Sequence, residues 1–539
     1  MTLTDTRPAA GAFDDAADDA RASIVEHGLT AWIGSGDHKH LGLMFAAFGL
    51  ASIVTGMVCA FVFQLPSMGD SPLAFVMPGS RLASAGTVAT FVVGIPALWI
   101  GLATYVVPLQ VGGHRLALPR LHNLALWLFV VGAGLSAVAF VIDETRLSSL
   151  ASSVPAAATE GQAATDAVEL LIAGLAVVAL GTLFAAIVLL VTVLNRRAGG
   201  VRLRHVPAFT WSTFGASLTL LLSTPVFLAG LVLLWFDQHY GGTVFASGAG
   251  GLRIWQHELW LLGRPEAIVF TLAGIGLSCD IVATALRRPL IGGPLVPAIC
   301  AGAPLLALVL WIGGTPALRS PFAPIATVPA LVLLAPVGLA LLTWLASVRG
   351  SAPRAVPAVL PFLAHLLPLA VALALMIAGA ASDVTGATES AAFRNGQLVL
   401  LCLATPLLGL AAGLVHWSPK LRGRVPTIAA SGGVTLLLLA GVLLLGFPGY
   451  LAGFGADDGV ATIGIAGALV TVLGMLALLP TVVGPAGNAP GDPYEGLTLE
   501  WAAASPPVRH NFDEIPPVRS PYPLYDARAA ATATGGDAR

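Results

Sequence analysis

Charge is scarce in this chain. Only 10% of its 539 residues are Asp, Glu, Lys or Arg, against 56% hydrophobic, too few to coat an ordinary soluble surface. Lysine occurs twice, as Lys39 and Lys420, and the formal net charge is −2, which excludes a basic nucleic-acid-binding face. The four cysteines, Cys59, Cys279, Cys300 and Cys402, stand in apolar stretches without CxxC spacing. That pattern reads as small buried hydrophobes rather than disulfides or a metal cluster. Histidine occurs eleven times, yet none falls in 41–113, 258–364 or 366–415. Those intervals cover most of the apolar chain and leave it without the commonest nitrogen donor for a bound metal. An export-signal pattern is missing too: residues 1–40 are polar and Ala/Asp-rich, so this segment is expected in the cytoplasm.

What the chain has in abundance is apolar length. Runs of about 20 residues or more, enough to cross a bilayer, occur near 41–65, 84–109, 122–143, 167–194, 208–236 and 255–284. Six more lie near 290–313, 322–348, 355–381, 395–417, 426–448 and 459–484. Lipid offers no partner to an exposed backbone amide, so these predict about twelve transmembrane helices in an all-α membrane protein. Residues 41–484 form the expected bundle, with a Pro-rich tail over 485–539. Gly and Pro number 61 and 38, in keeping with membrane helices.

Basic residues set the expected orientation. Connections after even-numbered helices carry Arg115, Arg120, Arg196, Arg197, Arg202, Arg204, Arg287, Arg288, Arg349, Arg354, Lys420, Arg422 and Arg424. Those after odd-numbered helices carry only Arg81, Arg146, Arg253, Arg319 and Arg394. Positive charge is retained inside, so both termini are expected in the cytoplasm of a multi-pass plasma-membrane protein.

Several segments then carry a family likeness. Pro96 to Pro108, Leu109-Gln110-Val111-Gly112, Leu118-Pro119-Arg120-Leu121 and Asn123 form one block, and Trp255-Gln256-His257 through Gly263-Arg264-Pro265-Glu266 a second. Pro336-Val337-Gly338 leads to Trp344, and His416-Trp417-Ser418-Pro419-Lys420 closes the tenth run. The tail adds Thr498-Leu499-Glu500-Trp501, Ser505-Pro506-Pro507 and His510-Asn511-Phe512. In order, over nearly the whole chain, these resemble subunit I of cytochrome c oxidase, of the haem-copper oxidase superfamily. The resemblance implies that subunit's bundle, two haems and one copper, oxygen reduction with proton pumping, and other oxidase-type membrane subunits as partners beside the lipid bilayer.

At the ligand positions the likeness fails. The second-helix haem ligand corresponds to Ala85, the sixth-helix copper ligand to Arg264, the seventh-helix histidine pair to Gly313 and Gly314, and the tenth-helix haem ligands to Gln397 and Val399. Ile268 stands where the family has its cross-linked tyrosine. The acidic proton-channel mouth corresponds to Arg115, the second-channel lysine to Ala340, and the propionate-holding arginines to Phe447-Pro448-Gly449-Tyr450. Only Glu266 remains, at the position of the buried proton-delivering glutamate. Tyr105, Tyr240 and Tyr450 fall near segment ends, and no convergent donor set is expected, hence no haem or metal.

The intramembrane polar residues left over are Arg264, Glu266, His257, Glu258 and His365. Arg264 lies roughly 14 Å into the sixth run at 1.5 Å per residue, where a cation costs about 2.5–3.5 kcal/mol. It reads either as a plug paired with Glu266, Glu258 or water, or as an anion site. A lone His365 reads as a hydrogen-bonded core residue or, less economically, as one axial ligand. His257 matches a non-ligand position, Glu169 sits at a helix mouth, and Asp280 is expected to be reached by Arg287 and Arg288. Three functions follow: a cofactor-less scaffold in a respiratory-type membrane complex, an active oxidase subunit with unrecognised ligands, and a transporter or small-molecule binder around Arg264 and Glu266.

Overall fold

A computed structural model describes residues 34–64, 79–142, 166–240, 244–245, 265–313, 327–381, 391–455 and 460–536. The regular structure of the described residues is all helix, without strands, and most of 484–522 is irregular. Helix α1 is His38–Gln64 and α2 spans 79–110. Then come α3 (Pro119–Ile142), α4 (Asp166–Asn195), α5 (Ala208–Tyr240), α6 (Pro265–Leu286), α7 (Leu295–Gly313), α8 (Thr327–Val348) and α9 (Val359–Ala381). Helix α10 spans 391–422, α11 is Ile428–Gly453, α12 is Ala461–Leu478, and α13 (Pro523–Gly536) belongs to the tail. Nine of these are long and apolar enough to cross a membrane, and Leu295–Val309, Leu334–Val348 and Val359–Leu375 are shorter apolar helices. Together they occupy the twelve apolar runs read from the sequence.

Burial divides the helices into two sets. The apolar stretches of α2, α6 and α10 are 100%, 94% and 89% buried, whereas those of α1, α3, α4, α5, α11 and α12 are 28–56% buried. A helix apolar all round and covered all round is a core element, so α2, α6 and α10 form the axis and the others wrap them. Neighbours in sequence pair around the outside, α3 with α4, α4 with α5 and α11 with α12, and α12 closes back onto α1.

Small residues allow the closest crossings, because lipid supplies little hydrophobic drive between helices and backbones must touch to gain dispersion energy. At the α1–α2 seam, a Cβ on Gly101 would run into the Ala46 backbone, and one on Gly49 into Leu98. Gly101→Leu is therefore expected to force the two helices apart and cost about 3 kcal/mol or more. A thermal melt in detergent checks this, and a midpoint equal to wild type would refute the seam.

Both central helices α2 and α10 contain a π segment, Val88–Gly94 and Leu398–Ala404. Each is followed two residues on by a proline, Pro96 and Pro406. Proline has no N–H and collides with the preceding turn, which opens it locally. The wider turn leaves carbonyls short of donors, and Thr271 on α6 reaches across to donate to Leu401 O at 2.9 Å, while Thr405 donates to Leu400 O at 2.9 Å.

Candidate functional site

The resemblance puts ligands on the three axial helices and on α7, so the axis and the α7 end beside it are the site to test. Ala85 offers a methyl group, part-buried against the core, and Val399 an isopropyl. Gln397 is engaged: its Oε1 accepts the Tyr450 hydroxyl, and its Nε2 donates to Ala372 O at 3.4 Å. Two positions read separately, one for a haem ligand and one for a propionate clamp, are thus closed on each other. Tyr450 is 1% exposed and Tyr105 2% exposed, so both are buried although they lie near the ends of α11 and α2, as the sequence pattern placed them. Tyr105 donates to Lys420 O at 2.6 Å.

Side chains fill the middle of the axis. Trp99 of α2 and Phe270 of α6 stack at 5.2 Å between ring centroids, with Phe209, Leu277, Pro406 and Leu410 around them. The void between them is about 10 Å³, at the lower edge of what one water needs, roughly 10–15 Å³. The Trp99 indole N–H lacks a partner among the described residues, but it is a donor without a lone pair and cannot ligate a metal. Among the described residues, no three His, Cys, Asp or Glu side chains lie close enough together to hold a metal ion. The described side chains at this axis do not fit a haem.

His365 is buried, with Nδ1 2.6 Å from Phe362 O and its ring 5.7 Å from that of Phe362, so one nitrogen is committed to its own helix. It is not alone in depth: His122 and His416 are also buried. Gly313 ends α7, and Glu266 lies in the first turn of α6. Arg264, His257, Glu258 and Gly314 lie outside the described residues.

The polar centre that the sequence reading missed lies lower, where the tail meets the bundle. Gln110 Nε2 donates to Asp280 Oδ2 at 3.0 Å and to Glu500 Oε1 at 3.1 Å, while its Oε1 accepts from Thr210 Oγ1 at 2.7 Å. Trp417 Nε1 donates to Glu500 Oε1 at 3.2 Å. Asp280 is buried and also accepts from the backbone N–H groups of Ala208 and Phe209 at 3.2 and 3.1 Å. It caps α5 from outside, because Val206-Pro207 before that helix offer no capping side chain. This corrects the expectation that Arg287 and Arg288 serve Asp280: Arg287 pairs with Glu495 at 2.9 Å, and Arg288 donates to the carbonyls of Ser347 and Arg349. Burial pushes the Glu500 carboxyl above its usual range, against the pull of the Gln110 and Trp417 hydrogen bonds.

Lys420 completes the centre. Its ammonium donates to Gly491 O at 2.8 Å, Ala503 O at 2.5 Å and Ala504 O at 3.4 Å, and sits 5.3 Å from the Trp501 ring. The quoted motifs His416 to Lys420 and Thr498 to Trp501 therefore meet each other. The signal was legible as two polar clusters in an otherwise apolar chain. Their pairing was not, since Trp417 and Glu500 are 83 residues apart in sequence.

A helical membrane bundle with three axial helices is the architecture these observations define. The chain belongs to the family Cytochrome C and Quinol oxidase polypeptide I, whose model matches residues 40–457. It is 27% identical to quinol oxidase subunit 1 of Bacillus subtilis (strain 168), over 91% of this chain and 79% of that protein. It is 26% identical to cytochrome c oxidase subunit 1 of Corynebacterium efficiens, over 93% and 90%. Against the heme-copper oxidase subunit I+III of Aeropyrum pernix it is 27% identical over 90% of its own length, and spans 62% of that relative. Among solved structures, a heme-copper terminal oxidase dimer shares the fold with a TM-score of 0.65 at 14% identity, over 84% of this chain and 85% of the other.

Proposed function

We propose that this chain is a non-catalytic member of its family, a structural or assembly subunit that docks with other oxidase-type subunits in a respiratory-type complex of the plasma membrane. The observation that carries the reading is the filled axis: Trp99 against Phe270 leaves about 10 Å³, and Gln397 and Tyr450 satisfy each other where the resemblance implies a haem ligand and its clamp. Fold membership supplies the bundle, and chemistry has to come from the site. In this reading Arg264 plugs the copper position and pairs with Glu266 or Glu258, and both termini face the cytoplasm, where the basic connections gather.

The test is to purify the protein with its native partners, record reduced-minus-oxidised spectra, assay iron and copper, and identify co-purifying chains by mass spectrometry. The expected result is oxidase-type subunits at fixed ratio, with haem and copper absent or stoichiometric only with a second, ligand-bearing subunit. Haem bound one-to-one to this chain alone would overturn the proposal.

A further inference from the structure

At the end of the bundle away from the tail, α4 and α5 part and leave a groove of about 510 Å³ on the outer, lipid-facing surface. That volume lies within the roughly 300–1,000 Å³ typical of small-molecule sites. Its composition is divided along its length. Asp166 and Glu169 of the first turn of α4 stand at the mouth, and Ala173, Ala176 and Leu231 line the apolar part below, with Trp235 alongside.

The seven steps from Glu169 to Ala176 span about 10 Å of helix at 1.5 Å per residue. The groove is thus acidic at one end and apolar for the rest, which is the complement of an amphiphile whose head ends in an ammonium and whose tail is hydrocarbon. Asp166 is exposed, and Glu169 lies 3.3 Å from the His239 imidazole. The other ring nitrogen of His239 faces the Trp235 carbonyl at 2.9 Å, so His239 is held at the mouth by its own helix, and Asp166 is the carboxylate fully open to a ligand. Trp235 is 37% exposed and belongs to an aromatic cluster at the end of α5, with Trp235 and Phe236 at 5.5 Å and Phe236 and Tyr240 at 5.4 Å between centroids. Aromatic residues so placed mark the membrane–water boundary, the depth at which headgroups lie, and the His239 ring packs 4.2 Å from the Trp235 ring. The same two carboxylates repel an anionic headgroup.

We propose that the groove between α4 and α5 is a binding site for one membrane lipid with an amine headgroup, its acyl chain along Ala173 and Ala176 and its ammonium between Asp166 and Glu169. The site is independent of what the bundle axis holds. It selects on headgroup charge at the mouth and accepts any chain that fits the floor.

The test uses the full-length protein exposed to an equimolar mixture of phosphatidylethanolamine and phosphatidylglycerol, with retained lipid counted by native mass spectrometry. Wild type is expected to retain one phosphatidylethanolamine with a preference of about fivefold, the scale of one exposed ion pair. The double substitution Asp166→Asn, Glu169→Gln is expected to abolish the preference while leaving one lipid bound. Ala176→Leu, which fills the floor at a half-buried surface position, is expected to lower retention of both lipids. Equal retention by wild type, a preference that survives loss of both carboxylates, retention indifferent to Ala176→Leu, or a partner helix seated in the groove of the intact complex would each overturn the proposal.

Discussion

Lys420→Met is expected to release the tail from the bundle. The Lys420 side chain is buried, with its ammonium held by the carbonyls of Gly491, Ala503 and Ala504. Methionine matches its length and apolar stem but donates nothing, so the buried Ala503 carbonyl and the part-buried contacts to Gly491 and Ala504 lose their charged donor together. A hydrogen bond to a charged group contributes about 1.5–3 kcal/mol, so the loss is on the order of 3 kcal/mol or more. The bundle axis is held by its own apolar contacts, so the effect should concentrate in residues 485–536. Hydrogen exchange there should accelerate by a factor of a hundred or more, since about 1.4 kcal/mol is tenfold. Protection in α2, α6 and α10 should be retained. Uniform exchange across the whole chain, or unchanged exchange in the tail, would refute the clamp.

The second large effect is expected from Gln110→Leu. One amide nitrogen bonds two buried carboxyl groups, Asp280 and Glu500, and the amide oxygen takes the Thr210 hydroxyl. Leucine removes all three bonds at nearly constant volume, and orphaning buried groups costs about 1–3 kcal/mol each, more when charged. A loss of about 4 kcal/mol follows, read as a lowered melting midpoint in detergent. Adding Glu500→Gln should restore part of it, because an amide in place of the second carboxyl removes the repulsion with Asp280.

The same pair makes stability depend on pH, and the sign follows from burial. Glu500 is an acid whose folded pKa is raised by burial, so the folded state holds its proton more tightly than the unfolded chain does. Its contribution is fully present below the ordinary carboxylate pKa and is lost as pH rises through the raised folded value. Melting midpoints of wild type should therefore fall, relative to Glu500→Gln, as pH rises from 4 upward. Parallel curves for the two proteins would show that Glu500 is not the titrating group.

Fold and site differ in how far they could be read from the residues. Twelve apolar runs are a one-dimensional signal, since each must be about as long as a bilayer is thick, and every one became a helix. Which helices would be axial was less visible, because α4 and α11 are as apolar as α10 and differ only in what covers them. Ala85 was placed by counting back from Pro96, and Gln397 and Val399 by the likeness of the tenth run, yet what those side chains touch could not be read from the sequence. The contact of Gln397 with Tyr450 joins residues 53 apart, and that of Gln110 with Glu500 joins residues 390 apart. Asp280 shows the same limit: its nearest basic neighbours in sequence, Arg287 and Arg288, turn to other partners, and it is Gln110 from α2 and the start of α5 that meet it.

The paired π segments have a consequence for anyone who would rebuild chemistry in this bundle. Each widened turn absorbs an extra residue, so the stretch before Pro96 on α2 and before Pro406 on α10 is rotated by about 100°, one residue's worth of helix, relative to an unbroken helix. A histidine grafted at Ala85 or Gln397 would aim along that rotated heading, and one at Val399 would sit inside the widened turn itself. Replacing Pro96 or Pro406 would therefore re-aim the side chains that precede it on the same helix.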